Sequence, residues 1–171
     1  MELARLCKAS WCDQLGTLHG LIVKAETHPK RTTLLETRLV EDMFPLATQI
    51  RFLCNMPGEA LTKLAGIAFT SREDDPQDFA EARKRILATR ALVDGTEDEA
   101  FVSEDAPIVL AINNGMTFDL TAGEYVRDWA LPQFYFHQVA AYAILRRAGL
   151  AIGKADYVPH MMRYLRSPTK S

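Results

Sequence analysis

The sequence predicts a mainly helical protein in which four long helices pack as a bundle and a small β-hairpin precedes the last helix. Apolar residues recur at helical spacing in four long segments. Before the fourth segment, two short β-prone runs flank Asn113-Asn114-Gly115, a typical hairpin turn. The length of 171 residues fits a single domain, 1–171, with a C-terminal tail from about residue 153.

Turn and capping residues place the first two helices. The first is predicted from about residue 6 to residue 28, because His28 precedes a proline and is pushed out of the helical region. The second is predicted to start at Asp42, which can cap the free N–H groups, with Pro45 in its first turn. Because Pro57-Gly58 interrupts the apolar pattern, we expect a kink near Met56.

The third helix is predicted over residues 76–93, with Pro76 at its first position. The connection before it is short, so we expect the second and third helices to be antiparallel neighbours. Thr121 and Glu124 have the spacing of a capping box at the start of the fourth helix. That helix is predicted to continue to Arg147 and to end at Gly149.

Composition excludes several classes of partner. With 20 basic and 22 acidic residues the net charge is −2, so general binding to nucleic acid or anionic lipid is not expected. No apolar run reaches the length of a membrane span, and the first ten residues do not resemble a secretory leader. Cys7, Cys12 and Cys54 form no CxxC pair, which predicts reduced thiols and a cytoplasmic protein.

His137 is the main candidate for chemistry. It falls within the last helix, and on a helical projection Gln133 and small alanines lie on the same side, which predicts space for a ligand beside the imidazole. Asp42 and Gln49 lie on about the same face of the second helix and are expected to orient the ring or the substrate. The alternative is a core histidine that is hydrogen-bonded to a neighbouring helix.

Three further residues are candidate substrate-binding groups. Arg38 lies four residues before Asp42 and can pair with its carboxylate. Tyr135 and Tyr142, on the last helix, can reach a cavity through their hydroxyl groups, or serve only as packing aromatics.

Two blocks of sequence resemble a known family. Residues 130–137, Ala-Leu-Pro-Gln-Phe-Tyr-Phe-His, together with residues 141–149 and 152–157, resemble a signature of the DUF1993 family. Residues 37–46, followed by Gln49, are a second match, and the resemblance covers most of residues 1–157. This uncharacterised family is similar to the DinB/YfiT-like superfamily, so the resemblance implies an up-down-down-up four-helix bundle that is commonly dimeric.

The resemblance also raises the question of a metal. The wider superfamily often binds a divalent metal through one histidine of the second helix and an HxxxH pair on the last. His137 matches the first histidine of that pair, but Ala141 follows four residues later and the second helix has no histidine. A single imidazole with Asp42 and Gln49 is a weak ligand set for zinc or nickel, so we expect no metal and no cofactor.

Three functional hypotheses follow. In the first, the protein binds a small organic molecule and is a metal-independent isomerase, lyase or cyclase, with His137 as an acid/base group poised near pH 7 and Asp42 assisting it. In the second, it is a non-catalytic homodimeric binding or structural module. In the third, it is a metal- and thiol-cofactor-dependent transferase, as in DinB relatives. All three involve a small-molecule or protein partner, without nucleic acid or membrane.

Overall fold

The computed structural model describes residues 2–112 and 114–166, which are mainly helical. The helices are α1 (Glu2–Glu26), α2 (Arg31–Leu34), α3 (Leu46–Ala65), α4 (Phe79–Asp94), α5 (Ala122–Glu124), α6 (Leu131–Arg147) and α7 (Lys154–Tyr157), and the strands are β1 (Pro107–Ala111) and β2 (Thr117–Thr121). A π-helical turn, Tyr125–Ala130, joins α5 to α6, and 3-10 turns lie at Asp98–Ala100 and Pro159–Tyr164. Over these described ranges, no helix has both the length and the hydropathy to cross a membrane.

The four long helices bury their apolar faces on one another. α1 packs against α4 and α6, and α3 packs against the same two helices. Large side chains such as Trp11, Leu15 and Phe134 are fully buried in the shared core. Each such burial stabilises the fold by roughly 1.5–3 kcal/mol, so packing between helices, more than helix propensity, holds the structure together.

Side-chain contacts give the relative direction of α1, α4 and α6. Lys8, early in α1, donates to the carbonyl of Thr96, just after α4. Arg83, early in α4, pairs with Glu26 at the end of α1, so these two helices run antiparallel. His137 of α6 contacts the start of α3, whereas the π-helical turn that precedes α6 lies beside the later turns of α3. α3 and α6 are therefore antiparallel as well.

The linker 66–78 runs back along α3 from its C-terminal end to its N-terminal end. The backbone of Arg72 is hydrogen-bonded by Asn55, and the carboxylate of Asp75 accepts from Thr48 at 2.6 Å. α4 therefore starts beside the N-terminal end of α3 and runs parallel to it. The expectation of an antiparallel pair joined by a short connection is wrong, because this connection retraces a whole helix.

Two predicted helix starts are also corrected. α3 begins at Leu46 and not at Asp42, because Pro45 adopts an extended conformation with φ −69° and ψ 169° and the residue before a proline is excluded from the helical region. Pro57 lies inside α3, which continues to Ala65. α4 begins after Asp78, whose carboxylate accepts the N–H of Glu81 at 2.7 Å, and not at Pro76.

The hairpin and the capping box are where the sequence places them. Ile108 pairs with Leu120 in the antiparallel ladder, and Gly115 in the turn has a φ of +86° that favours glycine. The predicted turn includes Asn113, which lies outside the described residues. At the start of α5, the Thr121 hydroxyl accepts the Glu124 N–H at 3.2 Å, and the Glu124 carboxylate accepts the Thr121 N–H at 2.8 Å.

Replacing Thr121 by alanine is expected to lower the free energy of unfolding by about 1 kcal/mol, because one of the two capping bonds is lost. Urea denaturation monitored by circular dichroism measures this change. Thr32→Ala is the matched control, since Thr32 is exposed and its replacement should change the stability by less than about 0.5 kcal/mol. Equal stability of Thr121→Ala and the wild type would contradict the role of the cap.

Candidate functional site

A hydrogen bond between His137 and Gln49 joins α6 to α3. The Nδ1 atom of His137 lies 2.7 Å from the Oε1 atom of Gln49. The amide nitrogen of Gln49, which is fully buried, donates to the carbonyl of Phe44 at 3.1 Å. With its nitrogen engaged there, the amide presents its oxygen to the ring. Nδ1 must therefore carry the proton, and Nε2 keeps a lone pair.

Three phenylalanines, Phe44, Phe52 and Phe136, form an aromatic cluster at this pair. The imidazole centroid lies 4.8 Å from that of Phe52 and 5.2 Å from that of Phe136. Phe44 packs edge-on against Phe52 at 5.3 Å. More than half of the side chains of Phe44 and Phe136 is exposed, at 54% and 59%, so the cluster presents apolar surface that a ligand can cover.

Desolvation governs the charge of the imidazole. Burial lowers the pKa of His137 from 6.5 to about 4, so the ring is neutral at pH 7. The ring is half-buried, and no described residue forms a hydrogen bond with Nε2. The site therefore offers a fixed, neutral acceptor that is also a weak base. The expectation of an imidazole poised near pH 7 is corrected.

Asp42 and Arg38 do not join this pair. Asp42 is exposed in the segment before α3, and no hydrogen bond or ion pair within the described ranges connects it to His137. Arg38 donates to the carbonyl of Met43, and no described ion pair links it to Asp42. Asp42 does not share a helical face with Gln49, because α3 begins at Leu46.

The remaining candidates are all on α6 and lie in different surroundings. Gln133 lines a cavity of about 140 Å³ beside the π-helical turn. Tyr142 packs edge-on against Tyr157 at 5.6 Å. Tyr135 lines an apolar groove of about 410 Å³, here named the α6 groove, formed by Leu39, Met43, Pro132, Tyr135, Phe136, Val139, Ala140 and Ala143. The groove borders the His137 ring through Phe136, which contacts both.

Sequence reasoning found the pair of polar groups and missed the aromatic cluster. A signal was present, since Phe52 lies three residues after Gln49 on one helix and Phe136 directly precedes His137. Phe44 carried no comparable signal, because it precedes α3 and its place depends on the fold.

The residues at this site do not fit the three-histidine metal site of the wider superfamily. Gln49, opposite His137, uses its oxygen for the Nδ1 proton, and Ala141, one turn further along α6, is fully buried. Across residues 2–112 and 114–166 there is no group of three His, Cys, Asp or Glu side chains placed to hold a metal ion. One imidazole nitrogen is a weak site for zinc or nickel.

Stability should fall as the pH falls from about 6.5 to 4, because over that range the unfolded chain binds a proton at residue 137 that the folded protein excludes. We expect this contribution to stay below about 1.4 kcal/mol per pH unit. Urea denaturation at pH 7, 5.5 and 4.5 measures it. The fall should be shallower in His137→Gln, whose side chain does not titrate, and identical slopes would contradict the lowered pKa.

Zinc and nickel should bind weakly, and binding should not depend on residue 137. Isothermal titration of the wild type and of His137→Ala with ZnCl₂ should give similar dissociation constants, in the micromolar range or weaker. A nanomolar wild-type site that is lost in His137→Ala would overturn the conclusion about the metal.

Comparison with known proteins identifies the family of the chain. A family model described as a domain of unknown function, DUF1993, matches residues 8–158. The crystal structure of a DinB family member protein from Shewanella denitrificans is 28% identical, with a TM-score of 0.80, and the match covers 99% of this chain and 96% of that chain. No curated protein matches significantly. The family model covers most of the helical core, including the helix of His137. The chain therefore belongs to the DUF1993 family.

Proposed function

We propose that this protein binds a small organic molecule at the His137–Gln49 pair. The observation that carries the proposal is the 2.7 Å contact between Nδ1 and Oε1, because it fixes the tautomer and leaves Nε2 as an acceptor. A preformed acceptor among apolar side chains is the usual composition of a ligand site.

The surroundings of Nε2 indicate the chemistry of the ligand. An acceptor selects a group with an O–H or N–H bond, and the exposed rings of Phe44 and Phe136 favour a flat apolar body beside that group. The α6 groove, about 410 Å³ and almost entirely apolar, extends the same surface. The expected ligand is therefore a neutral molecule with one hydrogen-bond donor and an aromatic or alicyclic body.

A metal-independent isomerase, lyase or cyclase is the second candidate function. The observation that favours it is the oriented imidazole, because a fixed tautomer with a bare nitrogen is the arrangement of a general base. Its pKa of about 4 suits proton transfer from an acidic group and disfavours transfer from carbon. Binding is therefore the better supported function. The thiol-dependent transferase has the least support, because its three-histidine ligand set is missing from the site.

We also propose that α1, α3, α4 and α6 form an up-down-down-up bundle that makes the chain a single domain, 1–171. The pairwise directions of these helices support it. Exposed apolar side chains in the 3-10 turn after α7, including Met162 and Tyr164, support the predicted homodimer. The cytoplasmic location stays a prediction.

Phenol and anisole test the proposed site, because they share an aromatic body and only phenol can donate to Nε2. We expect phenol to bind the wild type about tenfold more tightly than anisole, the effect of one hydrogen bond in an apolar site. Titrations followed by ¹H–¹⁵N NMR measure both affinities and locate the perturbed amides.

His137→Phe keeps an aromatic ring and removes the acceptor, so the preference for phenol should disappear. His19→Ala is the matched control on α1 and should keep the preference. If His137→Phe still prefers phenol, or if the perturbed amides lie away from Gln49 and the aromatic cluster, the proposed site is wrong.

A further inference from the structure

A second cavity, of about 550 Å³, lies between α3, the linker 66–78 and α4. It is larger than the α6 groove, and it opens on a different face of α3 from Gln49. The cavity is lined by Cys54, Asn55, Phe69, Thr70, Arg72, Glu81, Lys84, Arg85, Ala88, Thr89 and Leu92. It exists because the linker retraces α3 and leaves space between itself and α4.

One wall of this linker cavity is apolar. Phe69 lies directly on the backbone of α3 at Gly58, where an added Cβ would come within 2.4 Å of the ring. Ala88 and Leu92 of α4 complete the apolar surface. The wall suits a hydrocarbon or aromatic body of several carbon atoms.

Two polar side chains on the floor of the linker cavity are engaged by the backbone. Asn55 uses both side-chain polar atoms on the backbone of Arg72, at 2.8 and 3.1 Å. The hydroxyl of Thr89 donates to the carbonyl of Cys54 at 3.0 Å. Burial raises the pKa of the Cys54 thiol to about 12, so the thiol is protonated and unreactive at pH 7.

The charged side chains of the linker cavity differ in whether they are paired with an opposite charge. Arg85 is buried, and its guanidinium is paired with both Glu81 and Asp74, so its charge is compensated and the three groups together carry one negative charge. Arg72 and Lys84 are exposed at the rim. Within the described part of the chain, neither of them forms an ion pair.

We propose that the linker cavity binds an amphipathic organic carboxylate, with its apolar body against Phe69 and Leu92 and its carboxylate between Arg72 and Lys84. Two rim cations above an apolar wall complement a monoanion that has an apolar tail. This proposal is independent of the site at His137.

Octanoate and 1-octanol separate carboxylate recognition from simple apolar binding. We expect the wild type to bind octanoate about tenfold more tightly than 1-octanol, with perturbed amides in residues 54–55, 69–72 and 84–92. Arg72→Gln and Lys84→Gln should each weaken octanoate binding about fivefold and leave 1-octanol unchanged. Arg72 is suitable for substitution, because the fold uses its backbone and not its side chain.

Three control variants make the result specific. Lys30→Gln removes an exposed cation elsewhere and should leave octanoate affinity unchanged. His137→Ala should do the same, so that failure of the His137 site does not mimic failure of this one. Ala88→Phe should weaken both probes by filling the cavity. Equal affinity for octanoate and 1-octanol, equal weakening in Lys30→Gln, or perturbed amides outside the linker cavity would each overturn the proposal.

Discussion

The linker 66–78 is the constraint on which the arrangement of the helices depends. It has neither helix nor strand to satisfy its backbone polar groups, which need other partners, and side chains of α3 and α4 supply several of these. Asn55 bonds both backbone groups of Arg72, and Arg85 donates to the carbonyl of Asp74 at 2.6 Å. These bonds hold the linker along α3, and they oblige α4 to start at the N-terminal end of that helix.

α3 consequently contributes to two candidate sites on different faces. One face presents Gln49 to α6, and the other presents Asn55 to the linker and α4. The two faces differ in electrostatics: the first combines aromatic rings with a neutral acceptor, and the second combines an apolar wall with free cations at the rim. The ligands that we propose for them differ accordingly, a neutral hydrogen-bond donor on one side and a carboxylate on the other.

Features set by neighbouring residues could be predicted from the sequence. The capping box at Thr121 and Glu124 and the positions of the strands are confirmed, because each depends on a few consecutive residues. Membership of the DUF1993 family is confirmed as well. Local patterns did not predict the direction of the linker, since it depends on hydrogen bonds such as that between Asn55 and Arg72, which lie 17 residues apart.

The candidate site likewise combines residues whose place could be predicted from the sequence with one whose place could not. Helical periodicity placed Gln49 and His137 on interior faces, and the two side chains, 88 residues apart, meet in the fold. Asp42 was placed by assuming that a helix begins there, and Pro45 excludes that start.

The absence of Asp42 from the site changes the chemistry of His137 as well as the geometry. A carboxylate beside the ring would favour the imidazolium and raise the pKa of His137. A neutral amide leaves desolvation uncompensated, and the pKa falls to about 4. The presence of an amide where an acid was predicted as the ring's partner is thus the reason that we propose a ligand-binding group at His137 and not an acid/base catalyst near pH 7.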